Sequence, residues 1–334
     1  MPNNTDILIK NFGSLPANQF EQHKFSVTKV LQTQHFLGKT DEGFPVFFVR
    51  TNASKQETAD VRLKIMHVEF MCPCLITDDL GNNYDDVYSV ITLDSADSDL
   101  CKLFISIFSN ALTDMDPLPS CRQISIEIEN LKAIFSQINT IPSHSIQGLW
   151  AELLVIEQSK NPDTLISAWH QSPTDKYDFT LGPDKIEVKS TSTEGRTHHF
   201  SSEQLTPSAH SHLVVVSIQV RTSGEGEGAY SIKGLCDKIF EKVTAVSRKK
   251  VYTIVVQTLG SNISEYDKKC FDYVSAKDSI LFFYLNDIDR IKKEDIPSSI
   301  HQVEFDADLG STPPIGTPES TFNLQNRPLY KDLL

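Results

Sequence analysis

The segment of residues 177–189, YDFTLGPDKIEVK, has two aspartates, one glutamate and two lysines within thirteen residues. Two short runs with alternating apolar residues flank the sequence Gly182-Pro183-Asp184-Lys185. Gly and Pro between such runs are typical of a β-hairpin, and we predict that Leu181 pairs with Ile186 across it. Because side chains alternate between the two faces of a strand, this pairing sorts the segment into a polar face and an apolar face.

The polar face of this hairpin is predicted to carry two carboxylates and one ammonium group. Its members are Asp178, Thr180, Glu187 and Lys189, and the opposite face holds Phe179, Leu181, Ile186 and Val188. Carboxylates that converge on one patch are typical ligands of a hard divalent cation, and a lysine beside them can act on the same substrate. The same pattern also fits a solvated hairpin in which Asp178 and Lys189 form an ordinary cross-strand pair.

Asp178 together with Glu187-Val188-Lys189 resembles the signature of the PD-(D/E)XK nucleases. In that superfamily an Asp on one strand and a Glu-x-Lys on the next bind magnesium and activate water. The resemblance implies that Asp178, Glu187 and the Val188 carbonyl bind Mg²⁺ or Mn²⁺, and that Lys189 is catalytic. The adjacent Pro183-Asp184 pair is not expected to supply the signature Asp, because Asp184 is predicted to lie in the turn.

A glutamate on the preceding helix is the fourth expected catalytic residue and a further metal ligand. Residues 143–159 have apolar residues at helical spacing and predict a helix. Glu152 lies at the edge of the apolar stripe and Glu157 nearer its middle, so the periodicity does not choose between them. Many nucleases of the superfamily carry a Glu at this place, and the resemblance of residues 148–154, GLWAELL, selects Glu152.

A polar segment after the hairpin contains further candidates for contacts with DNA. His198 and His199 could contact phosphate or transfer protons, although exposed loop histidines often do neither. Ser201 and Gln204 have the spacing of a capping box, which indicates the start of a short helix. In the family that the chain resembles this segment recurs, which implies that Gln204 contacts DNA near the metal.

The resemblance is to a family of bacterial PD-(D/E)XK motif proteins of about this length, classed as a domain of unknown function. It covers residues 140–240 best. Such proteins are often encoded beside a DNA methyltransferase, an ATPase and a helicase-like protein. This implies a DNA endonuclease, the cleavage subunit of a restriction or phage-defence system. The alternative is a catalytically inactive nuclease-fold protein that serves as a DNA-binding or assembly subunit.

Residues 1–140 are predicted to form an additional β-rich domain that docks DNA or a partner protein. Runs rich in Val, Ile and Phe predict strands. They lie at 44–51, 61–70, 87–93 and 124–128. Residues 100–112 predict a helix.

Residues 141–309 are predicted to form a nuclease-like domain of α/β (α+β) class. After the helix and the hairpin, the pattern predicts a strand over 213–220, a helix over 231–247 and strands over 251–257 and 280–285. The almost continuous apolar run of 213–220 predicts a central strand covered on both faces. This order matches the restriction-endonuclease-like αβββαβ core. Residues 310–334 are predicted to be an irregular C-terminal tail.

Composition and charge restrict the class of protein. The chain has 334 residues, of which 39% are hydrophobic and 22% charged, as in globular proteins. No apolar run reaches the roughly 20 residues of a membrane span, and no secretory signal is visible, so we expect a cytoplasmic location without membrane contact. The six cysteines lack the usual spacing of zinc ligands.

The net charge of −13 argues against a free-standing nucleic-acid binder. Phosphate backbones are bound by clustered Lys and Arg, and the only compact basic run is Arg248-Lys249-Lys250. We therefore expect a helicase, ATPase or methyltransferase partner to deliver the DNA. A homodimer is a further expected partnership.

Overall fold

The computed structural model describes residues 4–17, 24–52, 58–136, 138, 145–171, 175–318, 320, 322 and 327–333. The chain divides into two compact units, Met1–Gln137 and Ile138–Leu334. No helix in the described ranges has the length and apolar character that crossing a membrane requires.

In its described residues, the first unit combines three helices with one six-stranded sheet. Its elements are α1 (Asn4–Ser14), β1 (Lys24–Lys29), β2 (Phe36–Lys39), β3 (Pro45–Arg50), β4 (Val61–Arg62), β5 (Met66–Asp78), β6 (Asn83–Leu93), α2 (Ser98–Asp114) and α3 (Cys121–Phe135). The strand order is β1-β2-β3-β6-β5-β4, and β1 also pairs in parallel with β5. Five of the strands therefore form a closed circuit.

Alternation along the strands divides the apolar side chains of the first unit between two sides. One side forms a buried cluster of Val27, Phe36, Val46, Phe48, Cys74, Ile76 and Tyr88. On the other side the ring of Phe47 lies 5.5 Å from that of Phe104 and 4.9 Å from that of Phe108, both on α2. Edge-to-face aromatic contacts of this kind stabilise the packing of a helix on a sheet.

The strand predicted over residues 124–128 is wrong, because these residues belong to α3. The alternation of Ile124, Ile126 and Ile128 resembles a strand, but Ile126 is 55% exposed while the other two are fully buried. Residues four apart share one face of a helix, which explains this burial. The Ser120 hydroxyl and the Gln123 side chain form a capping box that starts the helix.

The second unit is a mixed α/β structure. Its elements are α4 (Ile146–Gln158), α5 (Pro162–Ala168), β7 (Phe179–Leu181), β8 (Asp184–Thr191), β9 (Thr197–Ser201), β10 (His212–Gln219), β11 (Thr222–Ser223), β12 (Ala229–Tyr230), α6 (Ile232–Phe240), α7 (Ala245–Leu259), α8 (Glu265–Lys268), β13 (Cys270–Asp272), α9 (Tyr273–Asp278), β14 (Leu281–Tyr284) and β15 (Glu304–Asp308). The main sheet has the order β14-β10-β8-β7, and smaller sheets join β11-β13-β12 and β15-β9. Only β8 and β10 of the main sheet run parallel.

Strand β10 confirms the expected central strand. It lies between β8 and β14, and its residues 213–218 are all buried. Helix α4 contacts β8. Leu213 and Val215 join an apolar cluster with Phe200 of β9 and Ala307 of β15, so the small β15-β9 sheet covers the opposite face from Val214 and Val216.

The strand predicted over residues 251–257 is wrong, and the helix predicted over 231–247 is divided. Helix α6 ends at Phe240, and the Thr244 hydroxyl accepts the N–H of Ser247 to start α7, which contains 251–257. The β-branched run of VYTIVVQ favours a strand by propensity. Burial of Val251, Tyr252, Ile254, Val255, Val256 and Leu259 outweighs that preference.

Residues 327–333 of the irregular tail pack against the starts of β8 and β10. Tyr330 is fully buried, and its hydroxyl lies 3.0 Å from the Lys185 carbonyl and 2.7 Å from the His212 carbonyl. Arg327 Nη1 donates to Asp184 Oδ1 at 2.8 Å. These contacts hold the first residues of strand β8 in place.

Candidate metal centre

Strands β7 and β8 are joined by a tighter turn than the sequence pattern indicates. Leu181 lies opposite Asp184, so the expected pairing of Leu181 with Ile186 is wrong by two residues. Only Gly182 and Pro183 remain in the turn. Gly182 has φ +56°, a left-handed conformation that glycine adopts without a steric penalty.

The two-residue shift does not change which side chains share a face of the hairpin. A shift by an even number of residues returns each side chain to the same face of a sheet. Glu187 and Lys189 therefore remain together on the face predicted for them. Asp184 lies on the opposite face, where Arg327 binds it, so it does not contribute to the candidate site.

Glu187, Lys189 and Gln204 form a closed set of contacts on this face. Glu187 is 3% exposed, and its Oε1 lies 2.9 Å from Lys189 Nζ and accepts a hydrogen bond from Gln204 Nε2 at 2.7 Å. Lys189 Nζ also lies 3.3 Å from Gln204 Oε1 and 5.1 Å above the ring of Phe200. The ammonium group is thus held by a carboxylate, an amide and an aromatic face.

Asp178 lies just before β7, beside the edge of β8. Its Oδ2 accepts the main-chain N–H of Val188 at 2.7 Å. Because the N–H and C=O of one strand residue point to the same edge, the Val188 carbonyl is directed to the edge that Asp178 occupies. This arrangement is compatible with the expected ligand role of Val188, which stays a prediction.

Helix α4 directs Glu152 to the same region. Glu152 is 4% exposed, and its Oε2 accepts the indole N–H of Trp169 at 2.7 Å. The same oxygen lies 2.8 Å from His170 Nε2. Both partners follow directly on α5, so the end of α5 fixes the orientation of the carboxylate.

Glu157, the other glutamate of α4, belongs to a separate cluster. Its carboxylate lies 2.8 Å from Lys242 Nζ and accepts the hydroxyl of Tyr273 at 2.9 Å. These contacts, Lys242 above all, hold the pKa of Glu157 below its usual value against the effect of burial. Of the two glutamates, only Glu152 therefore reaches the candidate centre.

His170 is a member of the site that the sequence analysis missed. Its main-chain N–H donates to the Asp178 carbonyl at 3.0 Å, and Trp169 beside it stacks on Phe179 with ring centroids 6.3 Å apart. A histidine two residues beyond a short helix belongs to no periodic pattern. Only the pairing of this segment with the start of β7 brings it to Asp178.

Glu152, His170 and Asp178 together form a group that could hold a metal ion. One ligand atom from each lies within 4.8 Å of the others. Glu187 lies outside this trio, and its Oε1 is engaged by Lys189 and Gln204. Its buried Oε2 has no hydrogen-bond partner in the part of the chain that the structure describes.

The electrostatics of the site fit a divalent cation. Burial, followed by the neighbouring carboxylates of Glu187 and Glu152, raises the pKa of Asp178 well above its usual value. Burial also raises the pKa of Glu187, although Lys189 opposes this. Crowded, desolvated carboxylates resist ionisation, and a cation that prefers oxygen ligands removes that cost. The residues present therefore fit a metal of this type.

The two histidines after the hairpin have different surroundings. His198 is 4% exposed, its Nε2 lies 2.7 Å from Ser217 Oγ, and burial lowers its pKa to about 4. His199 is exposed and lies 3.0 Å from Asp306 Oδ1 and 3.4 Å from Glu304 Oε2. Neither environment favours phosphate, and their contacts with DNA stay a prediction.

The capping-box contacts of Ser201 and Gln204 are present, but no helix follows. Ser201 N–H donates to Gln204 Oε1 at 3.1 Å, and Gln204 N–H donates to Ser201 Oγ at 3.2 Å. The chain makes only a turn over residues 202–205. This turn directs the Gln204 amide to Glu187, so the geometry indicates a positioning role.

A hairpin that carries Asp178 and Glu187-Val188-Lys189 beside a helix with Glu152 is the arrangement expected of the PD-(D/E)XK class. The family model "Putative PD-(D/E)XK family member, (DUF4420)" matches residues 9–310. The chain belongs to this family, which confirms the resemblance and extends it beyond residues 140–240. No curated protein and no solved structure matches the chain.

Proposed function

We propose that this chain is a metal-dependent DNA endonuclease that hydrolyses phosphodiester bonds. The observation that carries the proposal is the proximity of Glu152, His170 and Asp178 around the edge of the strand that holds Glu187 and Lys189. Membership of a PD-(D/E)XK family supports the same reaction class. Buried carboxylates beside a fixed ammonium group are the parts that such hydrolysis needs.

Asp178, Glu152 and Glu187, with the Val188 carbonyl, would hold Mg²⁺ or Mn²⁺, which polarises a phosphate oxygen and lowers the pKa of bound water. Lys189 is placed to orient the attacking water and to stabilise the negative charge that develops on the phosphate oxygens. Gln204 contacts both Lys189 and Glu187, and so it holds the two side chains in position. A compact ammonium group on a flexible stem suits this role.

We further propose that a partner protein delivers the DNA. The net charge of −13 disfavours unaided binding to a phosphate backbone. A helicase, ATPase or methyltransferase could supply that affinity, with this chain as the cleavage subunit of a restriction or phage-defence system. A homodimer would allow both DNA strands to be cut.

The test is cleavage of plasmid DNA by purified protein with Mg²⁺ or Mn²⁺, comparing the wild type with Asp178→Ala. The matched control is Asp289→Ala, which removes an exposed carboxylate elsewhere in the second unit. The proposal predicts nicking or linearisation by the wild type and the control, and none by Asp178→Ala. Full cleavage by Asp178→Ala would refute the assignment, and the absence of specific metal uptake would favour the inactive-subunit alternative.

A further inference from the structure

His170 is held in place by two neighbouring segments at once. The Trp169 indole N–H is bonded to Glu152, and the His170 main-chain N–H is bonded to the Asp178 carbonyl. His170 has φ +36°, in the range that non-glycine residues rarely adopt. Uncommon backbone conformations of this kind cluster at ligand sites, where the surrounding contacts maintain them.

The distance between His170 and Glu152 fits two ligands of one ion. Two ligand atoms each about 2.1 Å from a cation, and at right angles, lie about 3.0 Å apart. His170 Nε2 and Glu152 Oε2 are 2.8 Å apart. A ligand atom of Asp178 completes the group within 4.8 Å.

The His170 ring is not needed merely to orient Glu152. The fully buried Trp169 already donates its indole N–H to the same Glu152 oxygen at 2.7 Å. That hydrogen bond by itself fixes the carboxylate oxygen. The imidazole therefore adds a nitrogen ligand atom to the carboxylates of Glu152 and Asp178.

We propose that His170 is a metal ligand and that it makes the centre select a first-row transition-metal ion, Mn²⁺, over Mg²⁺. Mg²⁺ prefers oxygen ligands and keeps several waters, whereas imidazole nitrogen binds transition-metal ions more strongly. The inference deepens the proposed function, because it concerns the metal of the same centre. It does not depend on DNA cleavage.

The experiment titrates chelator-treated protein with Mn²⁺ and with Mg²⁺ in a calorimeter, without DNA. His170→Asn is the informative variant, because Asn tolerates positive φ and offers an amide oxygen in place of the imidazole nitrogen. His210→Asn, which changes an exposed histidine that also has a positive φ, is the control. Circular dichroism and thermal unfolding verify that each variant folds.

The wild type and the control are expected to bind Mn²⁺ at least about 10-fold more tightly than Mg²⁺, and His170→Asn is expected to lose most of that ratio. Pulsed electron paramagnetic resonance of the wild type with Mn²⁺ should show coupling to a directly bound nitrogen. This second measurement needs no variant, so misfolding of His170→Asn does not weaken the test.

An unchanged affinity ratio in folded His170→Asn, or a wild-type spectrum without nitrogen coupling, would overturn the inference. Binding of both ions without preference would refute it while leaving the metal centre intact. Selective Mn²⁺ binding without DNA cleavage would support it and count against the endonuclease instead. Failure to bind either ion would remove both proposals.

Discussion

Burial and the neighbouring carboxylates disfavour the charged form of Asp178. Its raised pKa means that its contribution to stability is present at low pH and is lost as the pH rises through the folded-state pKa. Asp178→Asn keeps an acceptor for the Val188 N–H but cannot ionise. We expect it to raise the free energy of unfolding at pH 7.5 in the presence of a chelator, because the uncharged amide removes the crowding of buried carboxylates.

Denaturant titrations at two pH values measure this effect. Because the pKa of Asp178 is raised, the stability gained by Asp178→Asn should be smaller at pH 4 than at pH 7.5. Asp289→Asn, which removes an exposed carboxylate, should change little at either pH. A metal-free Asp178→Asn protein that is no more stable than wild type at pH 7.5 would contradict the proposed charge crowding.

Lys189 is expected to act on the reaction rather than on metal uptake. Lys189→Met removes the ammonium group beside Glu187, and we expect the single-turnover rate of DNA cleavage to fall by about 10²–10³. Lys185→Met is the matched control, because Lys185 is on the same strand but its Nζ donates to the Gly182 carbonyl at the turn. Equal rates for Lys189→Met and wild type would exclude a catalytic lysine.

Sequence patterns identify site residues that a local pattern positions, and they do not identify residues that a contact between distant segments positions. Glu187 and Lys189 were recognisable because alternation along one strand fixes their common face. Glu152 needed the family resemblance, since helical periodicity alone did not separate it from Glu157. His170 was missed because its place depends on a contact between the end of α5 and the start of β7, which no local pattern encodes.

At the scale of elements, the turn after β9 supports the hairpin through Gln204. Gln204→Leu removes both its hydrogen bond to Glu187 and its contact with Lys189. We expect cleavage to slow by about 10-fold with unchanged DNA affinity, because partners of this kind orient catalytic groups. Single-turnover kinetics and a DNA-binding assay measure the two quantities separately.

Gln257→Leu is the control for this prediction. Gln257 is exposed on α7 and is not among the residues of the candidate site. If Gln204→Leu weakened DNA binding and left the cleavage step unaffected, Gln204 would be a DNA contact, as the family resemblance implied, and not a positioning residue.

The two strands that were predicted wrongly have different causes. Residues 124–128 alternate like a strand and residues 251–257 are β-branched, yet both are helical. Alternation was misleading where Ile126 is exposed, and propensity was outweighed where α7 is buried. The hairpin was placed correctly despite its shifted register, because a shift of two residues preserves the faces.

At the scale of the whole molecule, each unit contains a buried histidine that is neutral at pH 7. Burial lowers the pKa of His35 in the first unit and of His198 in the second to about 4. An unfolded chain takes up protons at these sites below about pH 6.5, so stability falls as the pH drops toward 4. We expect each histidine to reduce the free energy of unfolding by up to about 2 kcal/mol between pH 7 and pH 5.

Unfolding experiments on His198→Gln test this prediction. Gln can still bond to Ser217 but does not titrate, so the variant should lose less stability than wild type between pH 7 and pH 5. His301→Gln, which replaces an exposed histidine, is the control. An identical pH dependence in His198→Gln and wild type would contradict the assignment.

The family match covers residues 9–310, so the first unit lies within the family and is not an unrelated addition. Its closed circuit of strands could not be predicted from the sequence. The parallel pairing of β1 with β5 joins segments far apart in the chain, and hydrophobic patterns identify strands without identifying their partners.

Calorimetric titration of chelator-treated protein with Mg²⁺ or Mn²⁺ tests the central claim, that Asp178 helps to hold a divalent cation at the edge of β8. Wild type is expected to bind a single ion per chain, and Asp178→Asn to bind it about 10–100-fold more weakly. No uptake by wild type, or equal affinity in Asp178→Asn, would contradict the account.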